Sequence, residues 1–151
     1  MIIVRRFKPS DMFQVIELAS SLLTEHYDPT LFTYFYEAYP CGMLVCEHSH
    51  HIIGFAIGLP YTEHIGRIVM IAVHPSHQRR RIGSTLLKEL LKEFRDKQLS
   101  IIELEVKTTN QQAIFFYKKH HFEIVELFPH FYQNGEDAYL MRLKGSPHID
   151  D

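Results

Sequence analysis

The stretch GRIVMIAVHPSHQRRRIGSTLLKELLKEF, residues 66–94, determines how the rest of the chain is interpreted. Residues 67–73 are a short run of aliphatic and β-branched side chains, which predicts a buried strand. Residues 74–81 are polar and strongly basic. Beyond them the apolar side chains recur with the period of an amphipathic helix, at Ile82, Leu86, Leu87, Leu90, Leu91 and Phe94. The stretch therefore predicts a strand, a basic loop and a helix in succession.

The junction between this loop and this helix is a candidate anion site. A helix N-terminus presents N–H groups that have no intrahelical partner, together with a partial positive charge. Gly83 and Ser84 lie in the first turn, and Arg79, Arg80 and Arg81 come directly before it. This combination suits a pyrophosphate. A solvated basic loop is the alternative interpretation of the same residues.

Composition and charge exclude several classes of protein. A chain of 151 residues with 46% hydrophobic residues fits one folded domain rather than a disordered segment. It has no apolar run near the ~18 residues of a membrane span and no signal-peptide pattern. A formal charge of −2 argues against a general nucleic-acid binder. We therefore expect a cytoplasmic protein with neither a membrane nor a nucleic-acid partner.

The cysteines and histidines predict neither disulfides nor a metal site. Cys41 and Cys46 lie five positions apart and form no C-x-x-C pair. The eleven histidines are not arranged at metal-ligand spacing, so we expect no bound metal.

The remaining segments predict a single α/β domain at residues 1–144, followed by a flexible tail at 145–151. Strands are expected at residues 2–7, 43–47, 52–59, 67–73, 101–106, 122–128 and 137–143. Helices are expected to begin near residues 12, 29, 82 and 111. The order βααβββαβαββ indicates a mixed, mostly antiparallel twisted sheet flanked by helices.

Three stretches, together with the order of elements, resemble the GNAT acetyltransferases over nearly the whole chain. The basic loop is similar to their acetyl-coenzyme A signature, Q/R-x-x-G-x-G/A, although Arg81 replaces the first glycine. An arginine supplies the same N–H if its backbone is helical, whereas a positive φ would cost about 1–2 kcal/mol. Two further segments make the resemblance more specific: LEVKTTNQQAIFFYKKHHFE at residues 104–123 and FYQNGEDAYLM at 131–141. They are similar to archaeal-type N-terminal acetyltransferases and RimI-like ribosomal-protein acetyltransferases.

The resemblance implies that acetyl-coenzyme A is the cosubstrate and that much of its site lies near the signature. Backbone groups of the predicted strand would bind the pantetheine arm and face the thioester carbonyl. The loop and the helix start would bind the pyrophosphate, and a residue before the next helix would contact the coenzyme. The implied residues are Ile71, Ala72, Val73, Arg79, Arg80, Arg81, Ile82, Gly83, Ser84 and Asn110.

The same resemblance implies a catalytic pair and an acceptor. Glu105 would be the general base and Tyr117 the general acid for direct attack by an amine in a ternary complex. From the residues alone, Glu105 could instead be a solvated strand position and Tyr117 a core aromatic. The implied acceptor is a protein or peptide N-terminus, ribosomal proteins among them, held near Glu25, Tyr27 and Tyr132. We expect a monomer or a homodimer.

Two other functions stay open at this point. A GNAT domain can acetylate lysines or a small amine. Alternatively, the chain could be a non-catalytic acyl-coenzyme A-binding subunit, for which Arg81 in place of the motif glycine is the one indication. A cysteine-based ping-pong enzyme is disfavoured, because Cys41 and Cys46 are far in sequence from the signature and have no local base.

Overall fold

The structure is a computed structural model, and it describes residues 1–23, 27–78 and 81–144. The helices are α1 (Met12–Leu22), α2 (Thr30–Ala38), α3 (Ile82–Asp96) and α4 (Gln111–Lys119). The strands are β1 (Ile2–Arg6), β2 (Met43–His48), β3 (His51–Pro60), β4 (Ile65–Val73), β5 (Ile101–Lys107), β6 (Glu123–Phe128) and β7 (Ala138–Lys144). The predicted order of elements along the chain is confirmed, with strand ends shifted by one or two residues. The predicted tail at 145–151 lies outside the described residues.

One seven-stranded sheet, in the order β1-β2-β3-β4-β5-β7-β6, forms the centre of the domain. Only the β4–β5 pair is parallel among the pairs of described strands; the others are antiparallel. The predicted fold class, a mixed and mostly antiparallel sheet flanked by helices, is therefore confirmed. The spatial order adds one feature, since β7 lies between β5 and β6 rather than at the edge.

Helices cover both faces of the sheet and bury two separate groups of apolar side chains. The helical stripe predicted for α3, from Ile82 to Phe94, is buried on one face, where Ile114 of α4 also packs. On the other face, Val15 and Leu18 of α1 and Phe32 of α2 pack against β2, β3 and β4. No helix among the described residues is both long enough and apolar enough to cross a membrane.

A β-bulge in β4 changes which side chains face α3. Ile57 of β3 lies opposite Met70, but the next residue, Gly58, lies opposite Ile68, so Val69 is an extra residue in β4. As a result Ile68 faces α3 before the bulge and Ile71 faces it afterwards, although an uninterrupted strand would place residues 68 and 71 on opposite faces. After the bulge, the side chains of Ile71 and Val73 therefore face α3 and α4.

Two glycines allow the end of α3 to lie close to the sheet. A Cβ atom at Gly58 would lie 2.6 Å from the ring of Phe94, and one at Gly66 would lie 3.0 Å from the same ring. Such contacts require movement of the aromatic ring or of the strand, and overpacking of this kind typically costs about 1–3 kcal/mol. The glycines thus fix the distance between α3 and the strands that position its N-terminus.

Candidate active site

The candidate site is a cleft that opens where β4 and β5 separate. The two strands pair only at Ile65–Ile101, Gly66–Ile102 and Arg67–Glu103, although both continue for several residues beyond these pairs. The cleft has a volume of about 580 Å³, which lies in the usual range for a small-molecule site. Its lining comes from the end of α1, from β4, from the loop before α3, from the first turn of α3 and from α4.

Strand β4 supplies one wall of the cleft, as the sequence predicts. Ile71 and Val73 lie on the face that packs against α3 and α4. Ala72 also borders the cleft, but its side chain belongs to the opposite core, so its contribution to a ligand is its backbone. Gln78 was missed by the sequence analysis: its Nε2 donates to the carbonyl oxygen of Val73 at 3.1 Å and it too lines the cleft.

The first turn of α3 presents backbone N–H groups to the cleft. The carbonyl of Arg81 accepts the first helical hydrogen bond, from the N–H of Thr85 at 3.0 Å, so the N–H groups of Ile82, Gly83 and Ser84 have no partner within the helix. The side chain of Ile82 is buried. A Cβ atom at Gly83 would meet its nearest neighbour at 3.5 Å, an ordinary contact. The protein itself therefore does not require glycine here, whereas a ligand approaching these N–H groups would.

Arg81 adopts the left-handed conformation, with φ 61° and ψ 19°. The sequence analysis allowed an arginine to replace the signature glycine if its backbone were helical, and that condition is not met. The glycine of the usual pattern has a conformational reason, because glycine adopts a positive φ without the steric cost that a Cβ atom imposes. Arg79 and Arg80, also expected to bind the coenzyme, lie outside the described residues.

Helix α4 supplies the opposite wall of the cleft. Asn110 caps this helix by accepting a hydrogen bond at Oδ1 from the N–H of Ala113 at 3.1 Å, and its Nδ2 is the donor that the cap does not use. Tyr117 lines the cleft with Phe116, and their rings lie 5.2 Å apart. Burial raises the pKa of Tyr117 above its usual range, so its hydroxyl stays protonated at neutral pH.

A hydrogen bond joins the two helices that border the cleft. Ser84 Oγ of α3 lies 2.9 Å from Nε2 of His120 at the end of α4. Burial, with help from Lys88 and Lys119, lowers the pKa of His120. Ser84 is predicted to contact the coenzyme and does line the cleft, and its hydroxyl also connects α3 to α4. Phe116 and Lys119 also line the cleft. The spacing of Ala113, Phe116 and Tyr117 on one helical face is the sequence signal that could have indicated Phe116.

Glu105 lies on β5 two residues beyond the last residue that pairs with β4. Its neighbours Leu104 and Val106 face α3 and α4, so the side chain of Glu105 points to the other face of the sheet. There it forms an ion pair with Arg67 of β4. Glu105 does not line the described cleft, whereas Tyr117 does. The predicted pair thus flanks the gap between β4 and β5 from opposite faces.

Of the residues predicted to hold the acceptor, the structure describes Tyr27 and Tyr132, and neither lines the cleft. Tyr27 packs at the margin of the core beneath α1 and α2. Tyr132 lies in the loop between β6 and β7, and the centre of its ring is 5.3 Å from Nζ of Lys107 on β5. That loop is fixed by Glu136, which accepts from Asn134 and Thr109 and pairs with Lys107 at 3.4 Å. Glu25 lies outside the described residues.

The chain belongs to the acetyltransferase (GNAT) family, whose sequence profile matches residues 12–122. An N-alpha-acetyltransferase of Sulfolobus acidocaldarius is 34% identical over 144 residues, covering 87% of this chain and 86% of the relative. The crystal structure of Ard1 from Thermoplasma volcanium shares 31% identity at a TM-score of 0.92, covering 96% of this chain and 98% of the other. The ribosomal-protein-S18-alanine N-acetyltransferase of Escherichia coli has the same fold, with a TM-score of 0.85 at 23% identity.

These comparisons confirm the resemblance stated from the sequence. The chain is an acetyltransferase, and acetyl-coenzyme A is its cosubstrate. The cleft fits this cosubstrate in two respects. The N–H groups at the start of α3 match the charge of a pyrophosphate, and the channel between β4 and α4, bordered by Ile71, Val73 and Phe116, suits an elongated arm with few charges.

Replacing Arg81 with glycine should stabilise the fold without weakening coenzyme binding. The change removes the cost of a left-handed arginine, about 1–2 kcal/mol, and part of this gain is offset by the greater freedom of glycine in the unfolded chain. Urea unfolding should show a gain of about 0.5–1 kcal/mol, and calorimetric titration with coenzyme A should show an unchanged or improved Kd.

Gln98 is the matched control, because it has φ 62° at the other end of α3. Gln98→Gly should raise stability similarly and leave coenzyme affinity unchanged. A loss of coenzyme affinity in Arg81→Gly alone would mean that the arginine side chain itself binds the coenzyme.

Proposed function

We propose that this protein transfers the acetyl group of acetyl-coenzyme A to the α-amino group of protein N-termini, by direct attack within a ternary complex. The observation that carries the proposal is the gap between β4 and β5, with Glu105 on one face of the sheet and Tyr117 on the other. An acyl donor in the cleft and an amine from the opposite face could meet there. The nearly full-length likeness to an N-alpha-acetyltransferase supports this choice of acceptor.

Binding residues orient the donor before any bond changes. The N–H groups of Ile82, Gly83 and Ser84 bind the pyrophosphate, and the Nδ2 of Asn110 donates to the same ligand. The pantetheine arm lies along Ile71 and Val73, whose backbone groups direct the thioester towards the end of the cleft. Fixing two reactants in this way removes much of the entropic cost of their encounter.

Two proton transfers accompany the reaction. The lone pair of the neutral amine attacks the thioester carbon, and the resulting nitrogen loses a proton to Glu105, directly or through a water. The C–S bond then breaks with its electron pair on sulfur, and Tyr117 donates to the departing thiolate. The pKa of a tyrosine, about 10, exceeds that of an ordinary thiol, about 8.5, and burial raises the pKa of Tyr117 further. Tyr117 therefore keeps its proton until negative charge develops on the departing sulfur.

The chemistry of the nucleophile favours an N-terminal amine over lysine. An α-amino group has a pKa near 7.7–8.0 and a lysine side chain near 10.4. Neutralising the first at pH 7 costs about 1–1.4 kcal/mol, and the second about 4.6 kcal/mol. A carboxylate base of modest strength such as Glu105 therefore suits an α-amino group better than a lysine side chain.

The acceptor peptide lies on the face of the sheet that carries Glu105. We assign Tyr132, in the loop between β6 and β7, to contacts with the peptide backbone, and Glu25 and Tyr27 to contacts with its first residues. Phe131 stands where related acetyltransferases have a tyrosine, and it packs edge-to-face on Tyr132 with ring centroids 5.0 Å apart. This contact orients Tyr132 without adding a second hydroxyl.

Removing either catalytic group should lower kcat and leave the KM for acetyl-coenzyme A nearly unchanged. General acid–base groups contribute about 10²–10⁴-fold, so Glu105→Gln and Tyr117→Phe should each reduce kcat by a factor in this range. Release of coenzyme A, followed with a thiol reagent, measures both parameters.

Matched controls test whether these effects are specific. Tyr139→Phe removes a hydroxyl from a tyrosine that packs on the same core, and Glu126→Gln neutralises an exposed acid on β6; both should retain wild-type kcat. If Glu105→Gln and Tyr117→Phe stay within about threefold of wild type, well below the usual range, the pair is structural and the proposed mechanism is wrong.

Mass spectrometry of a peptide that carries both a free N-terminus and an internal lysine should locate the acetyl group on the N-terminus. The same peptide with a blocked N-terminus is the control, and it should be acetylated slowly. Predominant modification of the lysine, or equal rates on both peptides, would contradict the proposed acceptor and favour a lysine or small-amine acetyltransferase.

A further inference from the structure

Four charged side chains form two adjacent ion pairs on the face of the sheet that carries Glu105. Arg67 of β4 pairs with Glu105 of β5. Next to them, Arg142 of β7 donates from Nε and from its terminal nitrogen to Glu103 Oε2, at 2.9 and 2.7 Å. Glu103 is almost completely buried, with 8% of its side chain exposed. A carboxylate this deeply buried requires a partner of opposite charge.

The strand register makes Glu103 a competitor for Arg67. Arg67 lies directly beside Glu103 in the parallel β4–β5 pairing, so their side chains leave the same face of the sheet as neighbours. Nevertheless, Arg67 reaches past Glu103 to Glu105, two residues further along β5. Glu103 is instead satisfied from its other side by Arg142, its partner in the antiparallel β5–β7 register.

Besides its ion pair with Glu105, Arg67 contacts a residue in the turn that precedes β4. Its guanidinium carbon lies 5.2 Å from the ring centre of Tyr61, in the turn that leads from β3 into β4, a distance typical of a cation–π interaction. The Arg67 guanidinium thus contacts both the carboxylate of Glu105 and the ring of Tyr61.

We propose that Arg67 is a positioning residue for Glu105, and that the Glu103–Arg142 pair keeps Arg67 available for that role. The inference rests on the proposed role of Glu105 as the proton acceptor. Because Arg142 forms an ion pair with Glu103, this carboxylate, which lies directly beside Arg67 in the sheet, does not pair with Arg67. Arg67 then holds the carboxylate of Glu105 beside the gap, where it can accept the proton of the reacting nitrogen.

Four variants test this account through kcat, with the KM for acetyl-coenzyme A and thermal unfolding measured in parallel. Arg67→Met should lower kcat by up to about 10²-fold, the effect of a catalytic group misplaced by about 1 Å, while the KM for acetyl-coenzyme A stays unchanged. Arg67→Lys should recover part of the loss. Arg142→Met should also lower kcat, because Arg67 moves to the unpaired Glu103. The double variant Arg142→Met/Glu103→Gln should return kcat to within about threefold of wild type, since the competitor is then neutral.

Arg6→Met is the matched control, because it removes an arginine–glutamate pair of 3.2 Å with Glu93, between β1 and α3, and it should not alter kcat. If the double variant is as slow as Arg142→Met, the proposed competition between Glu103 and Glu105 for Arg67 is wrong, because neutralising Glu103 would not rescue a purely structural role of Arg142. The Arg67 variants test the positioning role whether or not Arg142→Met folds. Wild-type kcat in Arg67→Met beside a slow Glu105→Gln would refute this inference alone, whereas wild-type kcat in Glu105→Gln would refute the proposed role of Glu105 as the proton acceptor.

Discussion

The separation of β4 from β5 after only three residue pairs is the constraint on which the site depends. Parallel strands that stayed paired would bury the backbone groups of residues 68–73 in a continuous ladder, and no cleft would exist between β4 and α4. The extra residue Val69 places the side chains of Ile71 and Val73, in the second half of β4, on the face that packs against α3. Meanwhile β5 keeps its full pairing with β7, from Ile101–Lys144 to Lys107–Ala138. One strand thus diverges from a rigid neighbour, and the gap opens at the carboxyl ends of both.

Each side of this gap has a different chemical character, and that difference follows from strand alternation. On the side of α3 and α4, apolar side chains and helical N–H groups suit a coenzyme with a pyrophosphate and a long uncharged arm. On the other side, Glu105 lies among the charges of Arg67, Glu103 and Arg142, where an amine can approach from water. In the proposed two-substrate reaction, the gap is the meeting point and the sheet separates the two binding regions.

The sequence predicted the parts of the fold that depend on local pattern. The period of α3, the strand before it and the order of elements all follow from residues close together along the chain, whereas the anion site at the helix start stays a prediction. The left-handed Arg81 was not predicted, because the same sequence is compatible with a helical residue at this position. Strand order, the bulge at Val69 and the Arg67–Glu105 pair depend on residues that are separated in sequence and become adjacent only after the sheet forms, and periodicity contains no information about them.

The central claim, that donor and acceptor meet through the gap from opposite faces of the sheet, is tested most directly by a crystal structure with a bisubstrate conjugate. The conjugate would join coenzyme A through an acetyl bridge to the α-nitrogen of a short peptide. The account predicts electron density for the pantetheine arm between β4 and α4, beside Val73 and Tyr117, and for the peptide on the face that carries Glu105. A peptide found on the same face as Tyr117, or an arm bound outside the cleft, would contradict it.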